Sequence, residues 1–197
     1  MQENKTHLVW IVLAVIGIVL LIISAFAGLD QLKKAKGEAE MISDLPVIDY
    51  TDYSKAESGS LIAITGILQP ASEISGPDDL IVYYEQIWNV ESDDEDDWTG
   101  QWDTYTFAIP NFLVELPSGV IPVLAVDRTI IELPIHTVII SESKTGVMVN
   151  DITEGTMRQQ GFKNNDLITV VGNKNKDGFV PSRISGGSRE DLLTHLT

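Results

Sequence analysis

The chain has 197 residues, with 29 acidic side chains against 13 basic ones, a formal net charge of −16 and no cysteine. That length holds one domain of ordinary size plus attachments, and the missing cysteine excludes disulfides, thiolate metal sites and cysteine nucleophiles. Acidic and basic residues balance over 1–41, so everything after Met41 carries the whole excess; such a field repels phosphate backbones and anionic headgroups and attracts cations or basic partners. No nucleic-acid partner is expected.

The first predicted element is a membrane helix. Leu8 to Leu29 runs 22 residues without a formal charge, which at about 1.5 Å per residue spans roughly 33 Å, enough for a hydrocarbon core of about 30 Å. Trp10 stands where an interfacial anchor belongs, and Asp30, Lys33, Lys34 and Lys36 close the other end. The alternative is a cleaved signal peptide, since Ala25-Phe26-Ala27 has the small-x-small form of a cleavage site. Against it, the apolar run exceeds the roughly 7–15 residues of a signal h-region. Ser24 and Gly28 fit a small-xxx-small packing pattern, and a homo-oligomer is compatible with it. More lysines follow the helix than precede it, which places the C-terminal domain in the cytoplasm by the positive-inside rule.

Residues 30–44 are polar and charged and read as a juxtamembrane linker or helical extension. Pro46 marks entry to an acidic β-rich domain over 45–197. Strands are predicted at Leu61–Leu68, closed by Pro70, and at Leu80–Val90, with Val82, Tyr84, Trp88 and Val90 on one face. Trp102–Ile109 alternates, which puts Tyr105, Phe107 and Ile109 on one side and Thr104 and Thr106 on the other. Phe112–Leu116 and Val120–Val126 flank a Pro117-Ser118-Gly119 turn, a hairpin signal. Further strands are expected at Thr137–Ser141 and Leu167–Gly172. Helical patterns occur at about Thr153–Gln160 and at Ser188–Leu196, the latter with Ser188 as N-cap. Short strands separated by Gly and Pro turns suggest a mainly β fold, a small barrel or sandwich with one or two short helices.

Gly59-Ser-Leu-Ile-Ala-Ile-Thr-Gly66 leads to the aromatic strand from Leu80-Ile-Val-Tyr-Tyr84. Phe107 then leads into the Ser118-Gly119 turn, and Gly161-Phe-Lys-Asn-Asn-Asp166-Leu-Ile-Thr-Val-Val-Gly172 comes last. This order, over roughly residues 57–185, resembles the GIDE-type (beside-a-membrane) domain of mitochondrial membrane ubiquitin ligases and of bacterial membrane proteins. The Gly-Asp-x-Val-x-Val-x-Gly-like piece is also similar to OB-like barrels such as the soluble domain of NfeD-type membrane proteins. The resemblance implies an OB-like β-barrel lying close to a bilayer. Ligase chemistry in that family belongs to a RING domain with cysteine and histidine zinc ligands, and a chain without cysteine does not supply one.

The most unusual local feature is the acidic run Asp93, Asp94, Glu95, Asp96 and Asp97, flanked by Trp98 and Trp102. It has the charge to collect Ca²⁺ or a basic segment; its bland counterpart is a solvated hairpin tip. Either tryptophan has a face for a cationic or aliphatic partner, or serves as core, the latter stronger for Trp102, which opens an alternating strand. Asn173-Lys-Asn-Lys-Asp177-Gly178 superficially resembles a calcium loop, but its twelfth position would be Ile184, and a hairpin turn at Asp177-Gly178 is the better reading. His7, His136 and His195 are scattered, with no nucleophile and base at recognisable spacing. Gly186-Gly187-Ser188 precedes a helix whose N-terminus Glu190 and Asp191 already serve. The expectation is therefore a non-enzymatic, membrane-anchored protein-interaction module without a cofactor, held to the lipid bilayer through residues 8–29. The alternative is a Ca²⁺-responsive module using the acidic loop at 91–97.

Overall fold

A computed structural model describes residues 37, 39–46, 48–72, 76–92, 97–124, 126 and 128–197. The membrane helix expected over residues 8–29 lies outside the described residues. Among the described residues no helix is long and apolar enough to cross a membrane. Of the unit formed by Met1–Ser43 with Leu196–Thr197, residues 39–43 are helical. The unit Asp44–His195 is mainly β and contains the strands that follow.

Five strands close on themselves. These are β1 (Leu61–Pro70), β4 (Phe112–Leu116), β5 (Gly119–Val123), β11 (Leu167–Asn175) and β12 (Gly178–Gly186). β1 pairs with β11 and β4, β4 with β5, β5 with β12, and β12 returns to β11. Within this ring the β5–β12 contact alone is parallel, with Phe179 opposite Val123. A closed ring leaves no unpaired edge and turns every second side chain inward. Ile62, Ile64 and Leu68 of β1 meet Phe112, Val114, Ile121, Ile168, Val170, Phe179 and Ile184 in one buried cluster.

The predicted hairpin at Pro117-Ser118-Gly119 is present, with Leu116 opposite Gly119. So is the turn between β11 and β12, where Asn175 pairs with Gly178. One end of the cluster receives Ile48 and Tyr53. Tyr53 belongs to α1 (Tyr50–Lys55), a short helix that begins where Asp49 accepts a hydrogen bond from the Asp52 N–H at 2.8 Å. Its other end is held by Lys174, whose ammonium donates to the carbonyls of Tyr53 (2.7 Å), Ser54 (3.0 Å) and Ala56 (2.6 Å). A cation suits the carbonyl end of a helix.

Two insertions into the ring build a second sheet. Between β1 and β4 come β2 (Leu80–Ser92) and β3 (Trp98–Ala108); between β5 and β11 come β6 (Ile130–Glu132), β7 (His136–Ser141), β8 (Met148–Val149), β9 (Ile152–Thr153) and β10 (Met157–Lys163). The four-stranded order is β3-β2-β10-β7, so one insertion supplies each half, while β6 joins β12. Leu80, Val82 and Phe162 are fully buried where this sheet meets the ring.

Two expectations fail here. Thr153–Gln160 is not helical: Gly155 takes φ +81°, and residues from Met157 onward pair with β2 on one side and β7 on the other. Paired neighbours override the weak helix preference of Met, Arg and Gln. The clean alternation from Trp102 to Ile109 is also broken. Thr106 pairs with Glu85 and Thr104 with Gln86, so Tyr105 is one residue too many. Such a bulge shifts the period, and Thr104 shares a face with Phe107 after all. The last helix, α2 (Arg189–Leu196), forms as expected, with Ser188 and Asp191 bonded reciprocally at its start.

Candidate interaction face

Pairing across the second sheet sets its side chains in rows. Phe107, Tyr84, Gln160 and Thr137 form one row; Thr104, Gln86, Arg158 and Ile139 form the next; Trp102 and Trp88 follow. Hydrogen bonds run along them. The Tyr84 hydroxyl donates to Gln160 Oε1 at 2.9 Å, and Gln160 Nε2 donates to Thr137 Oγ1 at 2.8 Å. In the next row Arg158 Nε donates to Gln86 Oε1 at 2.8 Å, and Gln86 Nε2 to Thr104 Oγ1 at 3.1 Å. The Arg158 guanidinium lies 4.0 Å from the Trp102 ring centroid, and Trp102 is tilted against Trp88 at 5.1 Å.

No carboxylate belongs to these rows, in a chain with 29 of them. The acids of the same strands point the other way. Glu85 accepts from buried Gln159 and from the Tyr105 hydroxyl, and Asp103 accepts from Asn89 at 2.6 Å. The bond to Glu85, with burial and the Glu85 charge behind it, pushes the Tyr105 phenol up to about 12. Burial lowers the Arg158 guanidinium from its usual value and raises the Tyr84 phenol.

Phe107 is 52% exposed and Ile139 48%, so apolar surface on this face meets solvent. Two clefts border it. One, of about 400 Å³, runs between Tyr84, Phe107 and the segment Arg128–Ile131. The other, of about 330 Å³, lies between Trp102, Ile139 and the β8–β9 hairpin.

Of the residues singled out from sequence, Asp93, Asp94, Glu95 and Asp96 lie outside the described residues. Ser92 of β2 pairs with Trp98 of β3. Trp98 is exposed there, beside exposed Asp97. Trp102 is not core, contrary to expectation; it is half-buried on the sheet face while Trp88 takes the buried place. The reason is Gly100, where a Cβ would come within 2.2 Å of the Trp88 ring; its absence lets that indole fold down.

His136 serves structure, with Nε2 3.0 Å from Asp166 Oδ2. Among the described residues no group of three or more His, Asp or Glu side chains is placed to hold a metal. Sequence reasoning missed Arg158 and Gln160 as members of the face, because β10 read as helix, and did not single out Gln86 of β2.

No family model, no curated protein and no solved structure matches this chain.

Proposed function

We propose that this protein is a membrane-tethered, non-enzymatic protein-interaction module built on an OB-like barrel. Numbering only the ring strands along the chain gives the closed order 1-2-3-5-4-1, with the third and fifth parallel. That circuit supports the OB-like reading and is what the GIDE-type resemblance implies. The tether rests on the uncharged stretch Leu8–Leu29.

One observation carries the interaction reading: the second sheet presents a carboxylate-free aromatic and amide face with half-exposed Phe107 and Ile139. Exposed apolar side chains at both edges of a face filled by aromatic and amide groups suit contact with another protein, and tethering raises the local concentration of a weak binder. A photo-crosslinking residue at Phe107 of the full chain in native membranes should give a discrete adduct. The same probe at Val120, which is 44% exposed on the ring, should not. Identical smears from both positions would sink the reading. Release of the chain by alkaline carbonate would separately remove the tether.

A further inference from the structure

Resting on that reading, we infer that the cleft between Trp102, Ile139 and the β8–β9 hairpin docks a lysine-bearing segment of a basic protein partner. The cleft is built by a tight hairpin. Asn150 and Asp151 both have positive φ, 52° and 63°, the backbone of a two-residue turn that matches strand twist. Backbone bonds hold the hairpin down: Gly155 N–H donates to the Trp88 carbonyl, and Trp88 N–H to the Thr156 carbonyl, each at 2.8 Å. The wall this creates carries Met148, 64% exposed, opposite Trp102 and Ile139. Among the described residues, Glu142 and Asp151 supply the charged side chains lining it. Both are exposed, and neither has an ion-pair partner among the described residues. Lys144 is near in sequence but does not line the cleft, and Arg158 is committed to Gln86 and to the ring of Trp102.

A cleft lined by Trp102, Ile139, Met148 and Ile152 together with two carboxylates fits a side chain that is aliphatic along its stem and cationic at its tip. Lysine is that side chain, and an unbranched methionine adapts to its path. The rest of the molecule agrees, because a net charge of −16 draws basic segments in and repels anionic lipid and nucleic acid. A second copy of the same acidic chain is opposed by the same field.

The test uses the full chain in detergent micelles and a synthetic Gly-Lys-Leu repeat peptide, followed by tryptophan fluorescence and calorimetry. Repeats with Glu or norleucine in place of Lys are the controls. The lysine peptide should bind, the controls should not, and binding should fall as salt rises from about 0.1 M to about 1 M, where screening shortens from about 10 Å to about 3 Å. The pair Glu142→Gln and Asp151→Asn should weaken it about tenfold, as expected for two exposed ion pairs. Met148→Ser should weaken it without altering the unfolding transition. Glu115→Gln with Asp177→Asn, the same charge change placed elsewhere, should cost less than about twofold. Equal losses from both pairs would show a net-charge effect and overturn the inference, as would binding of the norleucine peptide at the same strength. A discrete adduct at Phe107 without any peptide binding would sink this inference while leaving the interaction module standing.

Discussion

The ring and the second sheet are made of the same kind of strand, yet they treat their apolar residues in opposite ways. Every strand of the ring turns one face into a shared interior, where Phe112, Phe179, Ile168 and Ile184 are fully buried. The second sheet buries Leu80, Ile81, Val82 and Phe162 where β2 and β10 reach the ring, and beyond them Trp88 is its one buried apolar side chain among the described residues. Beyond them its strands hold one another through a mesh of amides, hydroxyls and one guanidinium, with Phe107 and Ile139 left in solvent. Closure accounts for the difference: a ring has its own inside, whereas an open sheet must find a cover.

The sharpest way to break this comparison is to truncate one phenylalanine in each region. Phe179→Ala should cost about 3–5 kcal/mol in urea unfolding, because nothing refills the space of a fully buried ring. Phe107→Ala should stay within about 0.5 kcal/mol. A large loss at Phe107 would mean that its face is packed after all. The junction comes next. At Gly161 of β10 an added Cβ would stand 2.1 Å from the Val82 carbonyl oxygen, so Gly161→Ala must force the strands apart and should cost about 1–3 kcal/mol.

The polar side of the second sheet gives a third measurement. Glu85 accepts hydrogen bonds from Gln159, which is 2% exposed, and from Tyr105. Glu85→Ala strands the buried amide and should cost about 1–3 kcal/mol. The same change frees the phenol. Its folded value of about 12 lies above the 10.0 of an ordinary tyrosine, so the bond stabilises the fold fully below pH 10 and is lost as pH rises through about 12. In an absorbance titration Tyr105 should ionise near pH 12 in the wild type and move back towards 10 in the variant.

The ring was largely legible in the amino-acid sequence. Leu61–Leu68, Phe112–Leu116 and Leu167–Gly172 announce themselves by β-branched residues and Gly or Pro punctuation, and each is a strand. The aromatic and amide face of the second sheet was not. Arg158 and Gln86 are 72 positions apart and belong together only through pairing of β10 with β2. Met157-Arg-Gln-Gln carries helix formers, so local preference pointed the wrong way. The bulge at Tyr105 is one surplus residue in an otherwise regular alternation, and only the partner strand reveals which residue is surplus. The helix α1 escaped because its six residues bury only Tyr53; its signal was Asp49, a good N-cap whose side chain meets the Asp52 N–H.

The smallest effect lies at α2, where a carboxylate is tuned by position alone. The Ser188 N–H and hydroxyl donate to Asp191 Oδ2 at 2.7 and 2.8 Å, and these bonds hold the carboxyl below its usual 3.8. A depressed folded value means that the charged form is favoured by folding. Its contribution is complete above the unfolded value and disappears as pH falls through the lower folded one, the reverse of Tyr105. Asp191→Asn should therefore lower the unfolding midpoint slightly near pH 7, with the gap to wild type closing as pH falls to the point, below the usual 3.8, where the folded-state carboxyl protonates. Because the side chain is exposed, solvent screens the interaction. A gap that stayed constant down to that pH would show that the amide loses geometry rather than charge, and that the reciprocal bond from the Asp191 N–H to Ser188 Oγ carries the cap instead.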